Sequence, residues 1–360
     1  MTGAYLVMKK KLYVAIGSDC DPDRPGYGGP LYSEKTLTWR GNEEGISFFS
    51  AFREKFSERN GYFPKITWNV RADRQIEMVH GSAGYCLQKH DRLWNSLEKE
   101  GDEIAWHPHL WDWDDNAGKW YQKVNDYRFK ERCFSTGIEA FRHVLGLTPH
   151  TVHAGWCYQD NETLAILSRE GVRVDYSANP GQDTMGQQDM DRSLWDRTPS
   201  NPYYPSAKDY QTQSENKGEN LTILEVPSTT GEHRGMNLLK VISDQLKHGV
   251  NLKAIKHSPR QVPFIALKPA LFKLIMRDVL KRERQPVNYF LSYFHSDELL
   301  PEQYKRGLKK NMYKLEHIFK NLILLKREAE KSDMELSFVT VRELLELIEK
   351  GQSETASAYP

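Results

Sequence analysis

Two carboxylates and two imidazoles stand at short, regular spacings in this sequence. Asp19 and Asp21 follow the apolar run Lys11 to Gly17, and His107 and His109 follow Glu103-Ile104-Ala105-Trp106. On an extended strand, residues two apart share a face, so each pair would project both its side chains the same way. Two like charges that close need a cation between them or a proton on one of them. Two neutral imidazoles with a carboxylate suit a first-row divalent ion that keeps a position open for water. For Asp19 and Asp21 alone, Asp-Pro-Asp-Arg-Pro-Gly also reads as plain turn chemistry. His295 ends a third apolar run, Val287 to Phe294, and is followed by Ser296-Asp297-Glu298. An imidazole there suits a general acid that titrates near neutral pH, and a helix N-terminus at the same junction is compatible with that role.

These residues need elements to hold them. Lys11 to Gly17 predicts a buried strand, Gly41 to Asn60 a helix with the stripe Ile46, Phe48, Phe49, Phe52 and Phe56, and Lys65 to Val70 the next strand. Helices are expected over Asp91 to Glu100, Asp126 to Leu145, Glu162 to Glu170, Asn237 to Lys247 and Pro301 to Glu330. Strands are expected at Glu103 to Trp106, Thr151 to Ala154, Val172 to Asp175, Leu221 to Val226, Val287 to Phe294 and Glu335 to Val341. A last helix covers Val341 to Lys350. Strand and helix alternating in this way predict a parallel sheet, and polar residues at strand ends predict an α/β barrel. The polar segment from about 178 to 220 reads as a long loop folded over the site. Residues 1–350 are taken as one domain and 351–360 as a flexible tail.

The 360 residues carry 50 Lys and Arg against 49 Asp and Glu, so the net charge of +1 offers no bulk attraction to nucleic acid. Hydrophobic residues make up 39% of the chain and aromatics 11%, enough for a globular core. Four scattered cysteines, Cys20, Cys86, Cys133 and Cys157, form no Cys-x-x-Cys pair, which argues against a disulfide scaffold or a thiolate zinc site. The first residues lack the basic-then-apolar order of a signal peptide and no stretch reaches the length of a membrane span, so a cytoplasmic location is expected. Residues 247–284 hold ten Lys and Arg against Asp278 and Glu283. That stretch suits an anionic ligand or a solvated face.

In order and spacing the motifs resemble the polysaccharide deacetylase family, carbohydrate esterase family 4 in the broad sense, from about Leu12 to Lys350. The resemblance is carried by the acidic pair, by Gly101-Asp102-Glu103-Ile104-Ala105-Trp106-His107, by Ala154-Gly155-Trp156-Cys157-Tyr158 and by the late His295. It implies a distorted (β/α) barrel of seven or eight strands, with one divalent metal, zinc by ligand type, hydrolysing an acetyl group on a sugar. By the same resemblance Asp19 matches the catalytic base, His295 the catalytic acid, and Asp21 and His107 metal ligands. The family's usual second histidine, four residues on, falls on Trp111, which leaves His109 as the second ligand. His153 stands where the family often has an arginine paired with the base. Asp175 is placed to tune His295, and Trp111, Trp113 and Trp156 to stack on sugar rings. Two other readings stay open: a carbohydrate-binding barrel without activity, and a hydrolase of another C–N bond or of a glycosidic bond.

Overall fold

The structure is a computed structural model; it describes residues 10–23, 37–182, 194–231, 260–282, 284–301 and 313–358. The strands in chain order are β1 (Lys10–Cys20), β2 (Thr67–Val70), β3 (Glu103–Trp106), β4 (Trp111–Asp114), β5 (Lys119–Gln122), β6 (Thr151–Val152), β7 (Val174–Asp175), β8 (Leu224–Glu225), β9 (Thr230–Gly231), β10 (Arg260–Gln261), β11 (Tyr289–His295) and β12 (Met334–Val339). The helices are α1 (Ile46–Asn60), α2 (Arg74–His80), α3 (Tyr85–Lys89), α4 (Asp91–Lys99), α5 (Tyr127–Leu145), α6 (Asn161–Arg169), α7 (Pro269–Val279), α8 (Leu315–Lys331) and α9 (Val341–Ala358).

Eight strands form one sheet in the order β11-β1-β2-β3-β6-β7-β8, with β12 also on β1. All its pairings are parallel, and it curls into a half-barrel. β1 is long enough to serve three neighbours: β12 pairs Lys10 to Ala15, β2 pairs Gly17 to Cys20, and β11 pairs Tyr13 to Asp19. Beyond β8 the chain swings back to the opposite end of the sheet, where the Thr229 amide donates to the Leu291 carbonyl at 2.8 Å.

The period of two sorts β1 cleanly. Leu12, Val14, Ile16 and Cys20 join the outer core between sheet and helices, with Phe49, Trp68, Trp106, Phe134 and Phe290. Ala15 joins an inner core with Val174, Tyr176, Leu224, Val226, Tyr289 and Leu291, plugged by Val341, Leu344, Leu345 and Ile348 of α9. Asp19 and Asp21 continue the inner-facing set.

Several elements differ from expectation. The helix foreseen from Gly41 begins as a π-helical turn, Gly41–Gly45, before α1. A Cβ on Gly41 would lie 2.5 Å from the Asp297 amide nitrogen, so this glycine permits close packing on the chain after His295. Of the predicted stripe, Phe48 and Phe52 are exposed, because only Ile46, Phe49 and Phe56 face the sheet. α9 runs to Ala358, so residues 351–358 of the expected tail are helical. The β4–β5 hairpin, α2 and α3 were not anticipated. The helix expected at Asn237 to Lys247 lies outside the described residues, as do 302–312 of the predicted Pro301 to Glu330 helix. The described parts of the 178–220 segment form turns and isolated bridges anchored by buried Trp195, whose indole N–H donates to the Cys157 carbonyl at 3.1 Å. Of the basic stretch, 247–259 lies outside the described residues. In the remainder Arg277 pairs with Glu328, Arg282 donates to the Thr230 carbonyl, and buried Arg284 covers the Tyr289 ring.

Candidate active site

The carboxyl ends of six strands converge on one cluster. Register puts Asp19 directly between Asn69 on β2 and His295 on β11. His107 leaves β3 with its amide on the Val70 carbonyl, and His153 leaves β6 with its amide on the Trp106 carbonyl. All of these side chains point into the half-barrel by strand alternation.

Asp19 Oδ1 accepts from Asn69 Nδ2 at 2.8 Å and faces His153 Nδ1 at 2.9 Å. Its other oxygen, Oδ2, faces His295 Nε2 at 3.6 Å. Burial would raise the Asp19 carboxyl, but His107, His153 and His295 outweigh it and hold the group well below the usual carboxylate range. Burial likewise works against charge on His153, yet the Asp19 carboxylate lifts that imidazole to about 10. The two form a buried ion pair.

Asp21, His107 and His109 make the second half of the cluster. His109 Nε2 lies 3.1 Å from His107 Nε2 and 3.4 Å from Asp21 Oδ1, and His107 Nε2 lies 3.6 Å from Asp21 Oδ2. His107 Nδ1 sits on the His153 carbonyl oxygen, which accepts only from an N–H, so Nε2 is left with its lone pair. Burial and the nearby Arg71 push His109 down to about 4, leaving it neutral. Asp21 is held well below its ordinary value; burial opposes this and His107 and His109 overcome it.

Among the described residues two groups could hold an ion: Asp21, His107 and His109, or Asp19, His107 and His153. The first fits better. Its two imidazole Nε2 atoms lie 3.1 Å apart, near the edge of a tetrahedron with zinc-length bonds, about 3.3 Å, and the Asp21 carboxylate spans them, with Oδ1 3.4 Å from His109 and Oδ2 3.6 Å from His107. In the second, His107 Nδ1 is already committed to a carbonyl and His153 Nδ1 to Asp19.

Local backbone makes the approach possible. Trp156 and Cys157 both take left-handed conformations, with φ of 61° and 55°, which cost on the order of 1 kcal/mol or more each. The turn drives Gly155 beneath the His109 ring, where a Cβ would sit 2.3 Å from its carbons. Only glycine fits there.

His295 is the most accessible member: its side chain is 22% exposed against 2% for Asp19, so the cluster opens to solvent on that side. Its backbone N–H donates to Glu298 Oε2 at 3.0 Å, and its Nδ1 faces Glu298 Oε1 at 3.4 Å. Asp175, foreseen as the tuning partner of His295, instead accepts from Ser177 and meets Glu225 beside it on β8. Alternation explains this, because Tyr176 and not Asp175 turns inward, where its hydroxyl meets Asn69 and its ring lies on His153. Trp111 is 1% exposed and stacked parallel to His109, so it backs the imidazole rather than facing solvent. Trp156 and Trp113 are half-buried. Asn69, Arg71, Tyr176, Glu298 and Tyr293, whose ring centroid lies 4.2 Å from that of His153, were missed. Asn69 and Arg71 had a readable signal, since they repeat at the end of β2 the two-apart spacing of Asp19 and Asp21.

No protein-family model matches the chain, and no curated protein does. Among solved structures, one provisionally assigned as a glycoside hydrolase/deacetylase from Parabacteroides distasonis is 16% identical, over 95% of this chain and 71% of that one, with a TM-score of 0.56. Another, provisionally assigned as a polysaccharide deacetylase from Mycobacterium smegmatis, is 14% identical over 97% and 94%, with a TM-score of 0.47. The Puue allantoinase is 11% identical over 93% and 89%, also at 0.47. The first shares its fold with this chain. The expected deacetylase-like barrel is therefore the fold adopted, in a chain of divergent sequence. Among the described residues no helix is long and apolar enough to cross a membrane.

Proposed function

We propose that this protein is a metal-dependent hydrolase that removes an acetyl group, on nitrogen by preference, from a sugar or a polysaccharide precursor. The observation that carries this reading is the convergence of Asp21, His107 and His109 at 3.1–3.6 Å beside an Asp19 whose Oδ2 faces His295 at 3.6 Å. The Asp21 carboxylate, His107 Nε2 and His109 Nε2 would hold one divalent ion, zinc by donor type. When bound, the ion supplies Lewis-acid polarisation and a water acidic enough to lose a proton near neutral pH.

Asp19 would take a proton at Oδ2, because Oδ1 is occupied by Asn69 and His153. A carboxylate held in its charged form is a weak base, so it would serve a water that the ion has made acidic. His153 takes the arginine's place as counter-ion and fixes the carboxylate plane. His295 holds its transferable proton at Nε2 and delivers it to the departing amine, while Glu298 orients the ring through Nδ1. The opening beside His295 is where the sugar enters. The carbohydrate substrate is supported by the deacetylase assigned to the Parabacteroides fold relative.

Elemental analysis combined with acetate release tests the reading. About one equivalent of metal is expected in the wild type, lost in Asp21→Asn, His107→Ala and His109→Ala. Asp19→Asn should keep the metal and lose about 10²–10⁴-fold in turnover. A metal-free wild type, even after reloading, or an Asp19→Asn variant of full activity, would overturn it. A new reducing end instead of acetate would point to glycoside cleavage.

A further inference from the structure

Arg71 follows β2 on the inner face and is 2% exposed. Its Nη1 donates to Asp21 Oδ1 at 2.8 Å, its Nε to Asp73 Oδ2 at 2.6 Å and its Nη2 to Gln75 Oε1 at 2.8 Å. Asp73 Oδ2 also accepts from the His109 backbone N–H at 3.2 Å, while Asp73 Oδ1 caps α2 at Ile76. One planar guanidinium therefore joins the Asp21 carboxylate to the His109 backbone and to the start of α2. Its donors are fixed relative to one another, so bonding Asp73 and Gln75 sets the direction from which Asp21 is approached. Asp21 Oδ1 is then occupied. That oxygen also lies 3.4 Å from His109 Nε2, but the guanidinium holds it; Oδ2 remains, facing His107 Nε2 at 3.6 Å and His295 Nε2 at 3.9 Å.

We infer that Arg71 is a positioning residue that restricts Asp21 to ligation through Oδ2, and that it thereby selects a small tetrahedral ion over ions that take more oxygen ligands. The inference rests on the proposed role of Asp21, His107 and His109. Zinc is satisfied by four ligands and one carboxylate oxygen. Manganese and other oxygen-preferring ions favour six, and gain from a carboxylate free to present both oxygens. Arg71 denies them the second.

Chelator-competition titrations of Zn2+ and Mn2+ with the full-length wild type, Arg71→Gln and Arg71→Lys test this without reference to activity. Ligand-supporting groups of this kind are worth about 10–100-fold in affinity, so Arg71→Gln should lose that much for zinc. Manganese should fall far less, so the zinc-to-manganese ratio drops at least about tenfold. Arg71→Lys should lie between, since an ammonium keeps the charge but not the fork. If Arg71→Gln does not fold, the Arg71→Lys ratio decides in its place. An unchanged zinc affinity, or equal losses for both ions, would overturn the inference and make Arg71 a structural brace. A wild type that binds neither ion would instead bring down the metal site itself.

Discussion

Gly155 shows how little room the cluster has. Its amide donates to the Pro108 carbonyl at 2.8 Å, and its missing side chain is what lets the His109 ring lie where it does. Alanine there would put a methyl carbon 2.3 Å from the atoms of a ring that already lies parallel to Trp111. Gly155→Ala should cost about 1–3 kcal/mol, the range for overpacking a filled site. Metal retention should drop together with thermal stability, because His109 is the group displaced. Measuring both in the same preparation checks this, and a stable Gly155→Ala that keeps its metal would show that the turn can relax. The ion pair at Asp19 belongs to the same scale. Family resemblance foresaw an arginine's substitute at His153, but only the 2.9 Å contact identifies Oδ1 as the occupied oxygen.

Among the elements, α1 is joined to the sheet by a buried charge pair. Arg53 Nη1 meets Asp102 Oδ2 at 2.6 Å with both side chains fully buried. The same carboxylate accepts from the Trp68 indole and the Ile66 amide, both at 2.9 Å. The Arg53 guanidinium also covers the Phe63 ring at 4.4 Å. Removing the cation alone leaves Asp102 buried and unpaired, so Arg53→Met should destabilise by about 3–5 kcal/mol. Asp102 lies at the amino end of β3, away from the cluster, so metal stoichiometry should stay unchanged. Urea unfolding with metal analysis on the folded fraction separates the two effects. A loss below about 1 kcal/mol would mean that water reaches the carboxylate. The elements best read from the sequence are those with a continuous apolar run, such as β1 and β11, or one apolar face, such as α5, whose N-cap Asp126 accepts from the Phe129 amide at 3.0 Å. The β4–β5 hairpin escaped because its aromatics pack on one another, Trp113 against Trp120 at 5.1 Å, rather than along a helical or strand stripe.

The whole half-barrel carries a pH dependence at its far edge. Asp175 and Glu225 are register partners on β7 and β8, both fully buried. Burial raises Glu225 well above its ordinary 4.5, and the neighbouring Asp175 adds to the rise. A carboxyl that stays protonated in the fold but ionises in the unfolded chain favours folding below the unfolded value. That contribution is lost as pH climbs through the folded value. The Glu225 contribution to stability should therefore decline as pH rises from about 4.5, by up to about 1.4 kcal/mol per pH unit for one proton. Glu225→Gln, which keeps a donor toward Asp175, should remove that contribution, so the gap between the two profiles should change with pH. Urea unfolding between pH 5 and 8 checks this, and parallel profiles for the two proteins would rule it out.

Strand-end chemistry was legible because two-residue alternation is a local property of an extended chain. Asp19 and Asp21 share a face where the chain stays extended past β1, as do His107 and His109 past β3, and their types limit what those faces can do. The parallel α/β class followed from the same local patterning. Register was not legible: which strands flank β1, and hence that Asp19 lies between Asn69 and His295, depends on contacts between segments 50 to more than 270 residues apart. Asp175 was assigned by its position after a strand, yet the tertiary structure turned Tyr176 inward instead, because only the packed sheet decides which alternate face becomes the interior. Sequence alone named the donors; tertiary structure decided their partners, since pairing across a sheet is fixed by the global packing of apolar faces and not by any one segment.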